Sequence, residues 1–292
     1  MKLRSLLFVP ADSESKLEKT RDSNADALIF DLEDAVAAAR KPLARQLAAS
    51  HLEKMQGQHR WKAFVRINPL STPEALPDLA AVVSPGLDGI VLPKADGVAD
   101  VIRLGAYLDA LETRAGLELG SVRILVVATE TARAMLNLDS YATQLPRLVA
   151  MTWGAEDLST ALGAATNRER DGGYSHVYLM ARSLCLVAAA SADVAAVDTL
   201  YTDYRDTEGL ERDCIDSRRR GFVGRIAIHP DQIEIINRCY TPSSEDVAFA
   251  RAVVDAFAAA PDAGTVGING KMLDRPHLVQ AFKTLAASES AY

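Results

Sequence analysis

Apolar positions along the chain gather into short continuous runs at fairly even intervals: SLLFVP (5–10), ALIFDLE (27–33), AFVRIN (63–68), DGIVLPK (88–94), RILVVATE (123–130), LVAMTWG (148–154), VAAVDTLY (194–201) and RIAIHP (225–230). Within each run the apolar residues mostly adjoin rather than alternate with polar ones. That is the pattern of strands covered on both faces, as in a parallel sheet. Between the runs lie stretches with helical spacing, among them SESKLEKTRDS, AVAAARKPLARQLAASHLEKM, VADVIRLGAYLDALETRAG and SHVYLMARSLCLVAAASA. Strand–helix alternation repeated eight times over about 230 residues predicts an α/β fold, a (β/α)8 TIM barrel. The rival is an open doubly wound sheet, but no GxGxxG follows the first run.

Beyond residue 230 the pattern turns helical, in DQIEIINRCY and then SSEDVAFARAVVDAFAAA. Pro242, Ser243 and Ser244 make a helix start for the second of these. A Gly-rich loop over 264–270, a short polar turn and a last helix are expected to follow. With no linker and no low-complexity segment, the expected organisation is a barrel over 1–230 and a helical extension over 231–292.

Composition narrows the function. Of 292 residues, 49% are hydrophobic and 24% charged, an ordinary globular balance, and the length supports a core without disulfide or metal staples. A net charge of −7 argues against nucleic acid as a partner, since phosphate backbones call for a basic stripe. The densest basic patch, SRRRG (217–221), reads as a solvated helix end. Cys185, Cys214 and Cys239 have neither zinc nor disulfide spacing and fit a reducing compartment. The first apolar run is too short for a signal peptide, and no run is long enough for a membrane span. The expectation is a cytoplasmic protein without a membrane partner.

In a barrel, chemistry is assembled where strands end and βα loops begin. At those points stand Asp31, Glu33, Asp34, Arg66, Asn68, Lys94, Glu130, Glu156, Asp157 and His229. Polar strand ends are ordinary, but here most are acids, with one arginine inside a β run. Glu130 and Asp157, from successive strand ends, suit one hard divalent ion, Mg²⁺ or Mn²⁺, with positions left for water or substrate oxygens. Each alone also reads as a solvated loop-end acid. Arg66, between Val65 and Ile67, must be paired or aimed at a ligand. Its planar fork suits a carboxylate or a developing enolate oxygen, and the structural alternative is an ion pair with Asp31 or Glu33. Lys94 reads as a Schiff-base lysine or as a partner for loop acids. His229 reads as a substrate contact or a helix-entry residue.

The motifs RSLLFVPA, IFDLEDAV, VRIN, LPKAD, ATETARA, GAEDLS, GFVGRIAIHPDQI and NGKMLDRPHLVQA occur in this order along essentially the whole chain. The sequence thereby resembles the citrate lyase β-subunit-like family of the HpcH/HpaI aldolase group, most nearly its stand-alone malyl- and citramalyl-CoA lyases. The resemblance implies a (β/α)8 barrel, a homotrimer, and Mg²⁺ held by Glu130 and Asp157. It implies that Arg66 contacts the substrate carbonyl or carboxylate. It also implies that Asp274 of GKMLD reaches the active site of a neighbouring subunit as part of a C-terminal lid. Phe8, Lys19, Ile228 and His229 would serve the CoA side. Two departures stand out: Pro10-Ala11-Asp12 replaces the family's PG or PGN, and Ser15 stands where a second basic residue is usual, with Lys16 close by.

The implied reaction is reversible cleavage of a 3-hydroxyacyl-CoA into a short acyl-CoA and a 2-oxo acid, pyruvate or glyoxylate. Arg66 would stabilise the thioester enolate, and Asp274 would move the proton at its carbon. The alternatives are a citrate lyase β subunit acting on a citryl carrier protein, and an aldolase acting on a free hydroxy-keto acid without a thioester. A catalytically dead barrel that only binds or scaffolds would be expected to lack Arg66, Glu130 or Asp157, and all three are present.

Overall fold

The structure, a computed structural model, describes residues 1–58 and 60–289. The chain forms two compact units, Leu3–Asn237 and the stretch from Arg238 onward. Among the described residues of the first unit, eight parallel strands close into a barrel in sequential order. They are β1 (Ser5–Pro10), β2 (Ala27–Asp31), β3 (Lys62–Arg66), β4 (Gly89–Leu92), β5 (Arg123–Val127), β6 (Leu148–Thr152), β7 (Ala195–Asp198) and β8 (Gly224–Ala227). Closure comes from β8 pairing with β1, Ser5 opposite Arg225 and Leu7 opposite Ala227. The helices between are α1 (Glu14–Glu18), α2 (Lys41–Met55), α3 (Ala75–Val82), α4 (Val98–Ala115), α5 (Ala132–Met135), α6 (Ala155–Ala161), α7 (His176–Ser191) and α8 (Thr207–Arg220).

Every residue of β2 and of β4 is buried, as the continuous apolar runs require of strands covered by side chains inside and helices outside. The inward set includes Leu6, Ile29, Phe64, Val91, Leu125, Val127, Ala150, Val197 and Ile226, which fill the barrel as a packed core. From β2 to β8 the sequence runs continue two or three residues past the observed strand ends, so Glu33, Asn68, Lys94 and Glu130 lie in the βα loops. Register decides one pairing of consequence. Pro10 lies opposite Asp31, and Asp31 opposite Arg66, so the acid and the arginine are cross-strand neighbours.

The chain continues through α9 (Gln232–Tyr240), α10 (Ser244–Ala259), β9 (Thr265–Ile268), β10 (Lys271–Asp274) and α11 (Arg275–Glu289). Ser243 and Asp246 form a reciprocal capping box at the start of α10. The second unit has its own small core of Ala250, Val253, Phe257, Leu273 and Ala281. It departs from the all-helical expectation. The Gly-rich stretch is a two-stranded antiparallel hairpin in which Lys271 faces Ile268 and Asp274 faces Thr265. Asn269 and Gly270 turn it, with φ of 50° and 75°, the left-handed pair of a two-residue hairpin turn. The last three positions of the expected extension lie outside the described residues.

Candidate active site

Arg66 ends β3 at the mouth of the barrel, and three groups hold it. Its Nε and Nη2 donate to Asp31 Oδ1 and Oδ2 at 2.7 and 2.6 Å. Its Nη1 lies 3.1 Å from Glu33 Oε2, and its guanidinium lies 4.5 Å from the Phe8 ring centroid. Asp31 is itself fixed by the backbone N–H groups of Glu33 and Ala35. Burial would weaken the hold of Arg66 on its proton. The Asp31 bonds and the charges of Asp31, Glu33 and Glu130 outweigh burial and raise its pKa. Arg66 is thus paired with Asp31 and Glu33, and it also lines the mouth. A guanidinium carries five N–H donors, and the two Asp31 bonds leave the others for Glu33 and a ligand.

Lys94 follows β4 with φ of 50°, an uncommon conformation for a residue with a side chain. That backbone turns its N–H onto Glu130 Oε2 at 2.6 Å. Its ammonium lies 2.5 Å from Glu33 Oε1, 3.1 Å from Asp34 Oδ2 and 3.2 Å from Asp157 Oδ1. Burial acts to lower its pKa, but the Glu33 bond and the charges of Glu33, Glu130 and Asp157 raise it. Lys94 stays an ammonium and bridges the loop acids. A Schiff base needs the neutral amine, so this environment opposes that role.

Glu130, three residues past β5, is 4% exposed. Burial, and then the charge of Asp157, raises its pKa well above the usual carboxylate range. Gly154 gives it room: a β-carbon at position 154 would lie 2.8 Å from Glu130 Cγ. Asp157 comes from the first turn of α6, and Glu156 beside it accepts a hydrogen bond from Asn167 Nδ2 at 2.8 Å. Glu130, Asp157, Arg66 and Phe8 line one mouth, together with Trp153 and apolar residues of several strands. About 500 Å³ of space lies within it, part of it open to solvent.

The acids outnumber their cations here. Asp31, Glu33, Asp34, Glu130 and Asp157 share Arg66 and Lys94. Lys41 is engaged by the carbonyls of Leu32 and Glu33. A buried Glu130 with a raised pKa, an acidic neighbour and oxygen-only donors fits a hard divalent cation. Among the described residues no three His, Cys, Asp or Glu side chains form a fuller metal cage. A two-carboxylate site is the kind that completes its shell with water or substrate.

The other expected site residues belong to other elements. Ile228 and His229 follow β8, their N–H groups both donating to the buried Gln232 Oε1. The His229 ring stacks on Tyr204 at 4.4 Å. Lys19 is exposed at the C-terminal end of α1. Asp274 ends β10 in the second unit, where its Oδ1 lies 2.5 Å from His277 Nδ1.

One network escaped the sequence reading. Asp198, fully buried at the end of β7, accepts from Trp153 Nε1 at 2.6 Å and pairs with Arg182 and with Arg225, the latter at 3.0 Å. Burial would raise its pKa, but Arg225 and Arg182 lower it. The network anchors a residue that lines the mouth. Its signal was three charges lodged in apolar runs, in VAAVD, YLMARSL and GRIAI.

The HpcH/HpaI aldolase/citrate lyase family model matches residues 4–230. This chain belongs to that family. Its full-length relatives include the (3S)-malyl-CoA thioesterase of Cereibacter sphaeroides, 36% identical over 98% of this chain and 95% of the relative. They also include the citrate lyase subunit beta of Leuconostoc mesenteroides subsp. cremoris, 33% identical over 97% and 92%. Among solved structures, CitE from Mycobacterium tuberculosis in complex with magnesium, acetoacetate and coenzyme A is 34% identical, with a TM-score of 0.78 over 98% of both chains. Membership of this aldolase and lyase family makes the chain an enzyme on a TIM barrel. The family match spans the eight strands and ends at residue 230, while both full-length relatives extend the likeness through the second unit.

Proposed function

We propose that this chain is a Mg²⁺-dependent carbon–carbon lyase. It cleaves a 3-hydroxyacyl-CoA, malyl-CoA or citramalyl-CoA, into a short acyl-CoA and glyoxylate or pyruvate. The observation that carries this reading is the convergence of Glu130, Asp157 and the clamped Arg66 on one mouth. The name of the Cereibacter sphaeroides relative supplies the substrate class, a malyl thioester, and the CitE complex holds magnesium, acetoacetate and coenzyme A.

Glu130 and Asp157 are the residues that would hold the metal. When bound there, Mg²⁺ acidifies the substrate hydroxyl and polarises the oxo-acid carbonyl. Arg66 presents N–H groups not taken by Asp31 to the thioester oxygen, where negative charge develops as the carbon–carbon bond breaks. Asp31, Glu33 and Phe8 hold that guanidinium in place before substrate arrives, so little reorganisation is needed. Val91, Val127, Leu200 and Ile226 keep the mouth apolar and limit water around the enolate. Asp274, entering the cycle protonated and paired with His277, gives its proton to the enolate carbon, while the proton released by the substrate hydroxyl passes to solvent, from which Asp274 is reprotonated. In this reading it acts across subunits of a homotrimer.

Hydrolysis of the same thioester is the second reading, favoured by the thioesterase name of a relative 36% identical to this chain. One assay separates the two. Purified protein with Mg²⁺ is given malyl-CoA and citramalyl-CoA separately, and oxo acid, acyl-CoA, free hydroxy acid and free CoA are followed. Oxo acid with acyl-CoA, lost on adding EDTA, is the expected result. Free hydroxy acid with free CoA establishes a thioesterase. Neither product directs the search to a citryl carrier protein or a free hydroxy-keto acid.

A further inference from the structure

Thr152 closes β6 and lines the mouth with Arg66, Glu130 and Asp157. Register sets it opposite Val127, which belongs to the inward core. The residue is 4% exposed, and among the described residues its Oγ1 is buried without a hydrogen-bond partner. Its surroundings in the mouth include Val91, Val127, Leu200 and Ile226. Burying an unmatched hydroxyl is unfavourable, and valine has nearly the same shape without that cost. Packing alone therefore calls for valine at this position. The hydroxyl makes sense if something entering the mouth matches it, and rotation about χ1 exchanges the places of its hydroxyl and methyl.

The other polar groups of the mouth narrow the partner. Glu130, Glu156 and Asp157 cannot donate to an anion when ionised. The Trp153 indole N–H is already given to Asp198. Besides Arg66 and the backbone N–H groups that open α6, the donors are the hydroxyls of Thr152 and Thr199, and among the described residues Thr152 Oγ1 is the one sealed in without a partner. We propose that Thr152 is a substrate-binding residue that donates a hydrogen bond to the carboxylate of the 2-oxo acid, or to the same carboxylate within the hydroxyacyl substrate. This assignment rests on the reaction proposed above.

The test is calorimetric titration of glyoxylate and of pyruvate, each separately, into the Mg²⁺-saturated protein. Thr152→Val is expected to weaken binding of the preferred oxo acid about tenfold or more, and Thr152→Ser to keep it within about threefold. Mg²⁺ affinity stays unchanged in both. Without ligand, Thr152→Val should melt at the wild-type temperature or above, because it removes an unmatched buried polar atom. Equal oxo-acid affinity in Thr152→Val overturns the proposal. So does a clear loss of ligand-free stability, which would mean that the hydroxyl serves the fold, or failure of the wild type to bind either oxo acid. Binding lost in Thr152→Val from a wild type that turns over no thioester upholds this contact and refutes the lyase reading instead.

Discussion

Glu130 shows how burial turns an ordinary acid into a functional one. Its carboxyl is desolvated, faces Asp157 and receives one backbone N–H from Lys94, so a divalent cation relieves an otherwise unfavourable charge. Glu130→Gln keeps the shape and removes the charge. It should lower turnover at least about a hundredfold and weaken metal binding in a Mn²⁺ titration. Unchanged affinity and turnover would remove Glu130 from the metal site. Gly154→Ala tests the same carboxylate from outside. Its β-carbon would sit 2.8 Å from Glu130 Cγ and 3.2 Å from Oε1, so the carboxylate must move. Metal affinity should fall about tenfold while the melting temperature changes little, since only the mouth is disturbed. At this scale the sequence already displayed Glu130, Asp157 and Arg66 as charges at the ends of apolar runs. The bridge made by Lys94 was legible only as one option, because its left-handed backbone is a property of the folded loop.

At the scale of the element, α4 carries an acid on its buried face. Val101, Leu104, Leu108 and Glu112 share that face, and Glu112 has no exposed side-chain surface. Arg147 Nη1 and the Val122 N–H reach Glu112 Oε1 at 2.8 and 2.7 Å, and the Gly120 N–H reaches Oε2 at 2.9 Å. Burial would raise the Glu112 pKa, but Arg147 and the two N–H groups hold it down to about 2, below its ordinary 4.5. A carboxylate with a lowered folded-state pKa stabilises the fold above its unfolded pKa and loses that contribution as pH falls. The window therefore runs from about 4.5 down through about 2. Glu112→Gln should cost roughly 2–3 kcal/mol at neutral pH, and its stability should vary less across that window in urea melts at stepped pH. The elements themselves were largely legible, because buried parallel strands and amphipathic helices have distinct periods. The hairpin of β9 and β10 was missed although Asn269-Gly270 is a strong turn signal. The glycines around it, at 264 and 267, masked the short strands as a loop.

For the whole molecule, the proposed chemistry needs residues from both units, with Glu130 in one and Asp274 in the other. A homotrimer with exchanged lids makes two predictions. Light scattering should give a mass near three times 31.4 kDa. Glu130→Ala and Asp274→Asn, each inactive alone, should regain about a quarter of wild-type activity when their subunits are mixed, the fraction of random pairings that join an intact barrel to an intact tail. No recovery in mixed oligomers would confine Asp274 to its own subunit or remove it from the chemistry.

What the sequence determined by itself was local in origin. Strand–helix alternation, the closed-barrel class and the charges at strand ends all follow from periodicity and composition within short windows. Only the tertiary structure decided which charges meet. Asp31 faces Arg66 because register places two residues, 35 positions apart, side by side. Lys94 reaches Glu33, 61 positions away, and the Glu130 carboxylate, 36 positions away, because barrel closure brings successive loops to one rim. Thr152 became informative only when its hydroxyl proved buried without a partner among the described residues. Such facts depend on long-range register and packing, which no single window of sequence contains.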